Sequence, residues 1–500
     1  MLSIALAVVL VGIAAYHLLI QPLFLSPESR IPGPRLFALT KWRLAVEDYR
    51  GTRTRTIDHL HGFYGSAIRI GPAEIHFNSL SALRTIYGAG SGYQRTGFYR
   101  MFDVYGRQNL FTFHSVREHA ARKKMLANAY SKSAILKGAN ARMVESKVKQ
   151  YMDLIAGNNT AGIGNEIFGS LHYFSLDSIT AFLYGRFGGT EALAGNPAHR
   201  ALLTDILDPA RRKLSWFAVH LPKLTKWLYT RTSLLERMLQ PFLPMAKPAT
   251  YTGIRAHALN SYYSFSRAAL SGDADVSTEP TIVAQLWKAH VSQKEGGLAD
   301  LDVASECADH LLAGIDTTAD TLMFLIWAIS RPHQAPVQEK LIAEVQAIPP
   351  SDLNEHGAPK AEAADKLPYL NAIIKETLRL YLPLPASEPR SLPTDSIIDG
   401  HTIPARTTVG MSPYSLHRNP DVFQDPLEFS PERWLGSEEE VKQMSRWFWA
   451  FSSGGRMCIG LHLAMAEMTT LVAAVYRRYR TVISKGLGLS YHSRLLPSNV

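Results

Sequence analysis

The chemistry of this chain starts from one sulfur. Phe451 to Gly460 reads FSSGGRMCIG, and it places Cys458, one of only two cysteines, inside a glycine-rich turn. A thiolate gains chemical use when its charge is stabilised. Here glycines free backbone N–H groups to point at the sulfur, and a following helix presents its positive end. Those are the needs of an iron ligand. In such a site Phe451 covers one side of the ligand, Gly454 and Gly460 let the backbone and a flat macrocycle approach, and Arg456 reaches an anionic edge of that macrocycle. Taken alone, Cys458 reads first as a structural thiol beside a helix cap; the pattern FxxGxRxCxG, filled at every fixed position, reverses that reading. Two further sets could do chemistry. Asp316-Thr317 in AGIDT joins an acid to an alcohol and can pass protons, although a helical Thr also bonds back to a carbonyl one turn earlier. Glu376 and Arg379 are three apart and share a helix face.

The loop resembles the haem-binding loop of the cytochrome P450 superfamily, whose proximal ligand is a cysteine thiolate. The resemblance implies haem b as cofactor with Cys458 as its metal ligand. It implies a mainly α fold, with a large helical domain, a small β-rich lobe and an N-terminal transmembrane helix. Ala313 and Gly314 would then be small to admit oxygen beside the iron, with Asp316 and Thr317 relaying protons. Arg390 in SEPRSLP would meet a propionate. Glu376 and Arg379 would join Arg433 of PERW, residues 431–434, in a buried charge network that fixes the loop. The helix in HSVREHAARKKMLANAYS would cross a propionate, with His119 in the usual place of a Trp and Lys123 in that of the basic residue. Order and spacing agree from the anchor to about Arg480, most closely over 301–460 and least over 130–300, where substrates are chosen.

The elements that must position these groups are legible in outline. A chain of 500 residues, 46% hydrophobic, has material for a large core, and no linker or repeat interrupts it after residue 40. We expect an anchor over 1–25, a proline-rich hinge over 26–40 and a haem-binding catalytic domain over 41–500. Two cysteines exclude a disulfide framework. The net charge of +10 comes from scattered basic residues without a nucleic-acid motif, which leaves membrane or an acidic protein as partner rather than nucleic acid. The first 27 residues carry no Asp, Glu, Lys or Arg and include about 20 apolar ones, the length of a spanning helix. A cleaved signal would have a basic start and a shorter apolar run. Arg30 and Arg35 follow the span, which predicts a single-pass protein of the endoplasmic reticulum membrane with its body in the cytosol. The sequon at Asn158 would then stay unglycosylated. Residues 67–77 predict two short strands about Gly71-Pro72, and 301–330 and 366–385 predict helices. Residues 214–228, apolar with interleaved basic groups, read either as a membrane-dipping segment or as a lid.

The resemblance implies a monooxygenase fed by NADPH-cytochrome P450 reductase, with cytochrome b5 as a second donor, since the chain has no flavin or nicotinamide motif. Arg122, Lys124, Lys442 and Arg446 would face that partner. The substrate would be a lipophilic small molecule, hydroxylated as in fungal specialised metabolism. Epoxidation, desaturation or oxidative ring coupling by the same cofactor remain alternatives. A non-catalytic haem sensor or electron carrier is a third reading, and Asp316-Thr317 argues against it. On the helical face of Thr317 lie Ala313, His310, Asp309 and Glu306. His310 would border the substrate chamber, or else Asp309 and His310 would pair with a neighbouring helix.

Overall fold

The computed structural model describes residues 2–160, 164–204, 214–229, 238, 252–273, 279–292, 297–483 and 492–497. The chain opens with α1 (Leu2–Ala15), which continues helically over Tyr16–Leu25. Ile4–Leu25 gives 22 residues with none buried, apolar and long enough to cross a membrane. Its far end is tied to the body, because Arg69 Nη1 donates to the Pro22 carbonyl at 2.6 Å. After residue 40 comes α2 (Trp42–Arg50).

The small lobe is a five-stranded sheet in the order β1-β2-β8-β5-β3. Its members are β1 (Ala67–Gly71), β2 (Glu74–Phe77), β3 (Gln94–Arg95), β5 (Arg390–Ser391) and β8 (Thr408–Gly410). β1 and β2 form the expected antiparallel hairpin, with Ala67 opposite Phe77. Side chains alternate across the sheet. Ile68 and Ile70 pack with Phe37, Leu44 and Ile57, whereas Ile75 and Phe77 pack with Tyr87, Val409 and Trp449. Two smaller sheets join β4 (Asn165–Glu166) to β10 (His492–Pro497) and β9 (Tyr479–Ile483), and β6 (Ser396–Ile398) to β7 (His401–Ile403).

The helical domain is built from α3 (Leu80–Tyr87), α4 (Val116–Leu126), α5 (Gly138–Thr160), α6 (Ile167–Tyr184), α7 (Leu214–His220), α8 (Pro222–Tyr229), α9 (Thr252–Leu270), α10 (Asp300–Ile329), α11 (Pro368–Leu380), α12 (Glu438–Trp447) and α13 (Leu461–Arg478), among others. α10 is the central rod. Its Leu311, Ile315, Leu322 and Leu325 recur at helical spacing and have no exposed surface. They face α6, α9, α11 and α13 in one continuous core. At the sequon, the Asn158 amide donates to Asn165 Oδ1 at 2.9 Å and so closes the end of α5 against β4.

Within the stretch left open between membrane and lid, α7 rests on α2. Trp216 Nε1 donates to the Ala45 carbonyl at 2.7 Å, and His220 Nε2 lies 2.8 Å from Asp48 Oδ2. Side chains from 226 to 228 lie outside the described residues.

Candidate active site

Cys458 lies in the turn between α12 and α13, with its side chain open on one side. Its own N–H donates to the Phe451 carbonyl at 2.9 Å, which closes the loop on itself, and Phe451 packs at the edge of the helical core. Burial pushes the thiol upward, and the N–H of Gly460, the Lys123 charge and the N–H of Leu461 oppose it. These are the donors that a helix start supplies, since α13 begins at Leu461. Two glycines have separate reasons. Gly454 has φ +61°, and a Cβ there would stand 2.5 Å from the Tyr87 carbonyl. At Gly460 the nearest atom to an added Cβ would be the Cys458 sulfur at 3.9 Å, so that side of the loop is open to a flat ligand.

The loop is held from below by a buried charge network. Glu376 accepts from Arg379 Nη2 at 2.8 Å and Nε at 2.9 Å, from Arg433 Nε at 3.1 Å, from Trp434 Nε1 at 3.0 Å and from the Ser430 N–H at 2.9 Å. Arg379 also donates to the carbonyls of His417, Pro426 and Glu428. His417 passes the constraint on, because its Nε2 accepts from the Trp449 N–H at 2.7 Å. Trp449 Nε1 donates to Ser453 Oγ, and Ser453 donates to the Tyr87 carbonyl. Sequence reasoning named Glu376, Arg379 and Arg433 but missed His417, whose HRNP context gives no spacing signal.

Beside the cysteine loop the fold gathers cations. Arg95 and Arg390 stand opposite one another in the β3–β5 ladder, where like charges repel. Arg390 Nη1 donates to Tyr99 Oη at 2.6 Å and Nη2 to Glu388 Oε2 at 2.8 Å. Both amino groups of this arginine are therefore engaged by the protein, and its contribution to a ligand is charge. Arg456 donates to the carbonyls of Phe113 and His114, each at 2.9 Å. The Nε atoms of Arg456 and Arg95 are buried without a partner, and among the described residues neither arginine forms an ion pair. Burial, with the charges of Arg95 and Arg390, depresses Arg456 to about 9; burial, with Arg456, Arg95, Lys123 and Arg390, depresses His119 to about 3. Glu388, the carboxylate of this group, is taken by Arg390, so Arg95 and Arg456 stand without an anion of their own. A flat ligand carrying carboxylates beside Cys458 fits these residues.

Lys123 requires a correction. The resemblance gave it to a propionate, but Nζ donates to the carbonyls of Gly455 at 3.0 Å and Met457 at 2.7 Å, so its charge sits on the cysteine loop. Arg95 was not singled out in the sequence, because only strand pairing across 295 positions brings it opposite Arg390.

On the other side α10 presents Ala313 and Thr317. Ala313 is exposed to the open side, and Thr317 Oγ1 donates to its carbonyl at 2.7 Å, the local back-bond available to any helical Thr. Asp316, one position earlier, instead faces α6, where its Oδ1 lies 3.6 Å from His172 Nε2. Gly314 is corrected as a source of room for oxygen: a Cβ there would lie 2.6 Å from Ile179 Cγ1, so its smallness lets α6 close on α10. His310 is held by the protein, as in the second of its two readings, but by Tyr130 in the turn after α4 and Glu306 of its own helix rather than by a neighbouring helix. It is buried, its Nδ1 is 2.7 Å from Tyr130 Oη, and its Nε2 is 3.3 Å from Glu306 Oε1. Glu306 also accepts from the Leu110 N–H at 3.0 Å and from Arg122. Asp309 stands beside this knot, and burial pushes its carboxyl up to about 7. Arg122 is buried by its pairing with Glu306 and is corrected as a partner-facing charge, whereas Lys124, Lys442 and Arg446 are exposed.

A family model for cytochrome P450 matches residues 32–489 of this chain. The chain is similar to the cytochrome P450 monooxygenase stcB of Emericella nidulans, 31% identical over 472 residues, covering 93% of this chain and 84% of the relative. It is similar to the tryptophan 6-hydroxylase fscE of Fusarium equiseti, 30% identical, covering 93% and 88%. The cytochrome P450 monooxygenase aflV of Aspergillus parasiticus is 28% identical, covering 92% and 86%.

Proposed function

The chain belongs to the cytochrome P450 family, and we propose that it hydroxylates a lipophilic small molecule in fungal specialised metabolism. It is a monooxygenase that binds haem through a cysteine thiolate and takes electrons from a redox partner. When bound, the haem supplies reductive activation of molecular oxygen and delivery of one oxygen atom to the substrate. The chain's residues do the rest. Cys458 ligates the iron, with Gly460 N–H, Leu461 N–H and Lys123 stabilising its negative charge. Arg456, Arg95 and His119 form the cradle for the propionates, with Arg390 adding charge. Ala313, exposed on the open side of α10, would leave room beside a bound haem, and Thr317 and Asp316 would hold and move a proton there.

We further propose residues 1–25 as the anchor in the endoplasmic reticulum membrane, 26–40 as hinge and 41–500 as the cytosol-facing catalytic domain. NADPH-cytochrome P450 reductase would be the electron partner, with cytochrome b5 as second donor. Its docking face would use the exposed Lys124, Lys442 and Arg446.

The observation that carries the reading is the pair Arg95 and Arg456, without an ion-pair partner among the described residues, beside a thiol that backbone donors face. Hydroxylation is favoured over epoxidation or desaturation by the hydroxylase relative at 30% identity. The test is co-expression with reductase followed by mass analysis of accumulated metabolites. A product one oxygen heavier, dependent on NADPH and lost in Cys458→Ser, is expected. A product two hydrogens lighter would replace hydroxylation with desaturation.

A further inference from the structure

α6 and α10 are pressed together where Ile179 meets Gly314. Two turns back along α6, their antiparallel crossing brings His172 level with Asp316 and Asp320, which are one turn apart on α10. His172 has no exposed surface. Its Nδ1 lies 2.7 Å from the Phe168 carbonyl, which can only accept, so Nδ1 carries a hydrogen. The working nitrogen is then Nε2, at 3.6 Å from Asp316 Oδ1 and 3.9 Å from Asp320 Oδ1. Both Nε2 and Asp316 Oδ1 are buried without a hydrogen-bond partner. An unmatched nitrogen facing an unmatched oxygen at this distance in a central seam demands an explanation. The Asp316 side chain retains 30% exposure although Oδ1 has none, so the exposure lies with the rest of the carboxylate.

We propose that His172 is a positioning residue for Asp316. A ring that already donates from Nδ1 reaches a carboxylate by donating from Nε2 as well. A small rotation of the Asp316 side chain brings Oδ1 into bonding distance of Nε2. The carboxylate is then fixed by its buried oxygen, and Oδ2 remains the atom that exchanges a proton. A proton arriving at Oδ2 from water leaves toward Thr317, and none is consumed at His172. Fixing one oxygen gives the other a defined direction, as outer-shell partners do for functional carboxylates. This rests on the proton-handling role proposed for Asp316.

The test uses the haem-loaded full chain with carbon monoxide as probe, whose C–O stretch in infrared spectra senses the polar groups above the ring. His172→Asn keeps a donor at the Nδ1 position for the Phe168 carbonyl but loses the reach to Asp316. His172→Gln keeps a donor at the Nε2 position. A retained thiolate-type spectrum certifies that each variant is loaded and folded. We expect Asp316→Asn, His172→Asn and the double variant to displace the C–O stretch by the same amount, and His172→Gln to return it to the wild-type position. With reductase and NADPH, His172→Asn should also raise the peroxide released per NADPH as Asp316→Asn does. An unmoved stretch in His172→Asn alongside a displaced one in Asp316→Asn overturns the role of His172. So does a double variant displaced by the sum of the two single shifts, because His172 would then act independently of Asp316. An unmoved stretch in Asp316→Asn removes the underlying reading of Asp316 itself.

Discussion

Replacing Glu376 by Ala tests how the cysteine loop is held. Glu376 and Arg379 have no exposed side-chain surface, and the glutamate accepts five hydrogen bonds. Removing it leaves the Arg379 guanidinium charged and uncompensated in the core and also orphans Trp434 Nε1 and the Ser430 N–H. Breaking one side of a buried pair costs about 3–5 kcal/mol, against about 0–1 kcal/mol for an exposed pair. The built-in comparison is Lys340–Glu432, as short at 2.7 Å but with 57% and 43% of the two side chains exposed. At about 1.4 kcal/mol per tenfold, Glu376→Ala should shift the unfolding equilibrium by roughly two to four orders of magnitude, whereas Lys340→Ala shifts it by less than about one. The assay is urea unfolding of haem-loaded protein, followed by the thiolate-type carbon monoxide band and by far-UV circular dichroism, with midpoints compared at equal slope. The band should vanish at lower urea than the helical signal, because His417 and Trp449 carry the network's constraint to the loop. Equal midpoint shifts for Glu376→Ala and Lys340→Ala would refute the argument that burial sets the cost.

Cys458→Ser should lose the thiolate-type spectrum and oxygenase activity; a purified variant that kept the red-shifted reduced carbon monoxide band would remove Cys458 as the ligand. Thr317→Ala should keep haem content but consume NADPH with more peroxide and less product, and an unchanged product-to-NADPH ratio would end its proton role. Burial, together with the charges of Arg379 and Arg418, depresses His417 to about 3, below its ordinary value of 6.5. Its contribution is therefore full above pH 6.5 and is lost as pH falls toward 3, roughly 2 kcal/mol by pH 5, and His417→Gln should flatten that part of the stability profile. Charge reversal at Lys442 and Arg446, both exposed, should raise the reductase concentration needed for half-maximal rate at low salt, with the difference fading as salt rises; no change at low ionic strength would exclude them.

What could be read from the chain alone was whatever local rules dictate. Gly454 stands out in the loop pattern as a position that needs glycine, although its reason, a φ of +61° beside the Tyr87 carbonyl, comes from the fold. The strands of 67–77, the helix through Leu311 and Ile315, and the Glu376–Arg379 pair follow from periods of two and 3.6. The resemblance supplied the haem and the link to Arg433. Misplacements arose where a side chain's use depends on a distant element. Lys123 was given to the ligand, yet the nearest acceptors are carbonyls over 330 residues away. Gly314 looked like room for oxygen until Ile179 of α6 was seen to fill that side. Arg122 was given to the partner-facing surface, but Glu306, 184 positions on, takes it into the core. Arg95 and His172 have no sequence signal, since each gains meaning from a neighbour that only the fold supplies.

Arg95 opposite Arg390, with Arg456 beside them, has a consequence for the life of the protein in the cell. Electrostatic stress between these arginines is relieved by a dianion, so the relief reappears as affinity for it, and by mass action as stability of the folded chain. Biosynthetic supply of porphyrin thus becomes a determinant of abundance: a polypeptide released from the ribosome in a haem-starved cell stays nearer its unfolding threshold and is exposed longer to proteases. Steady-state levels of this protein should follow haem synthesis even when its transcription is held constant.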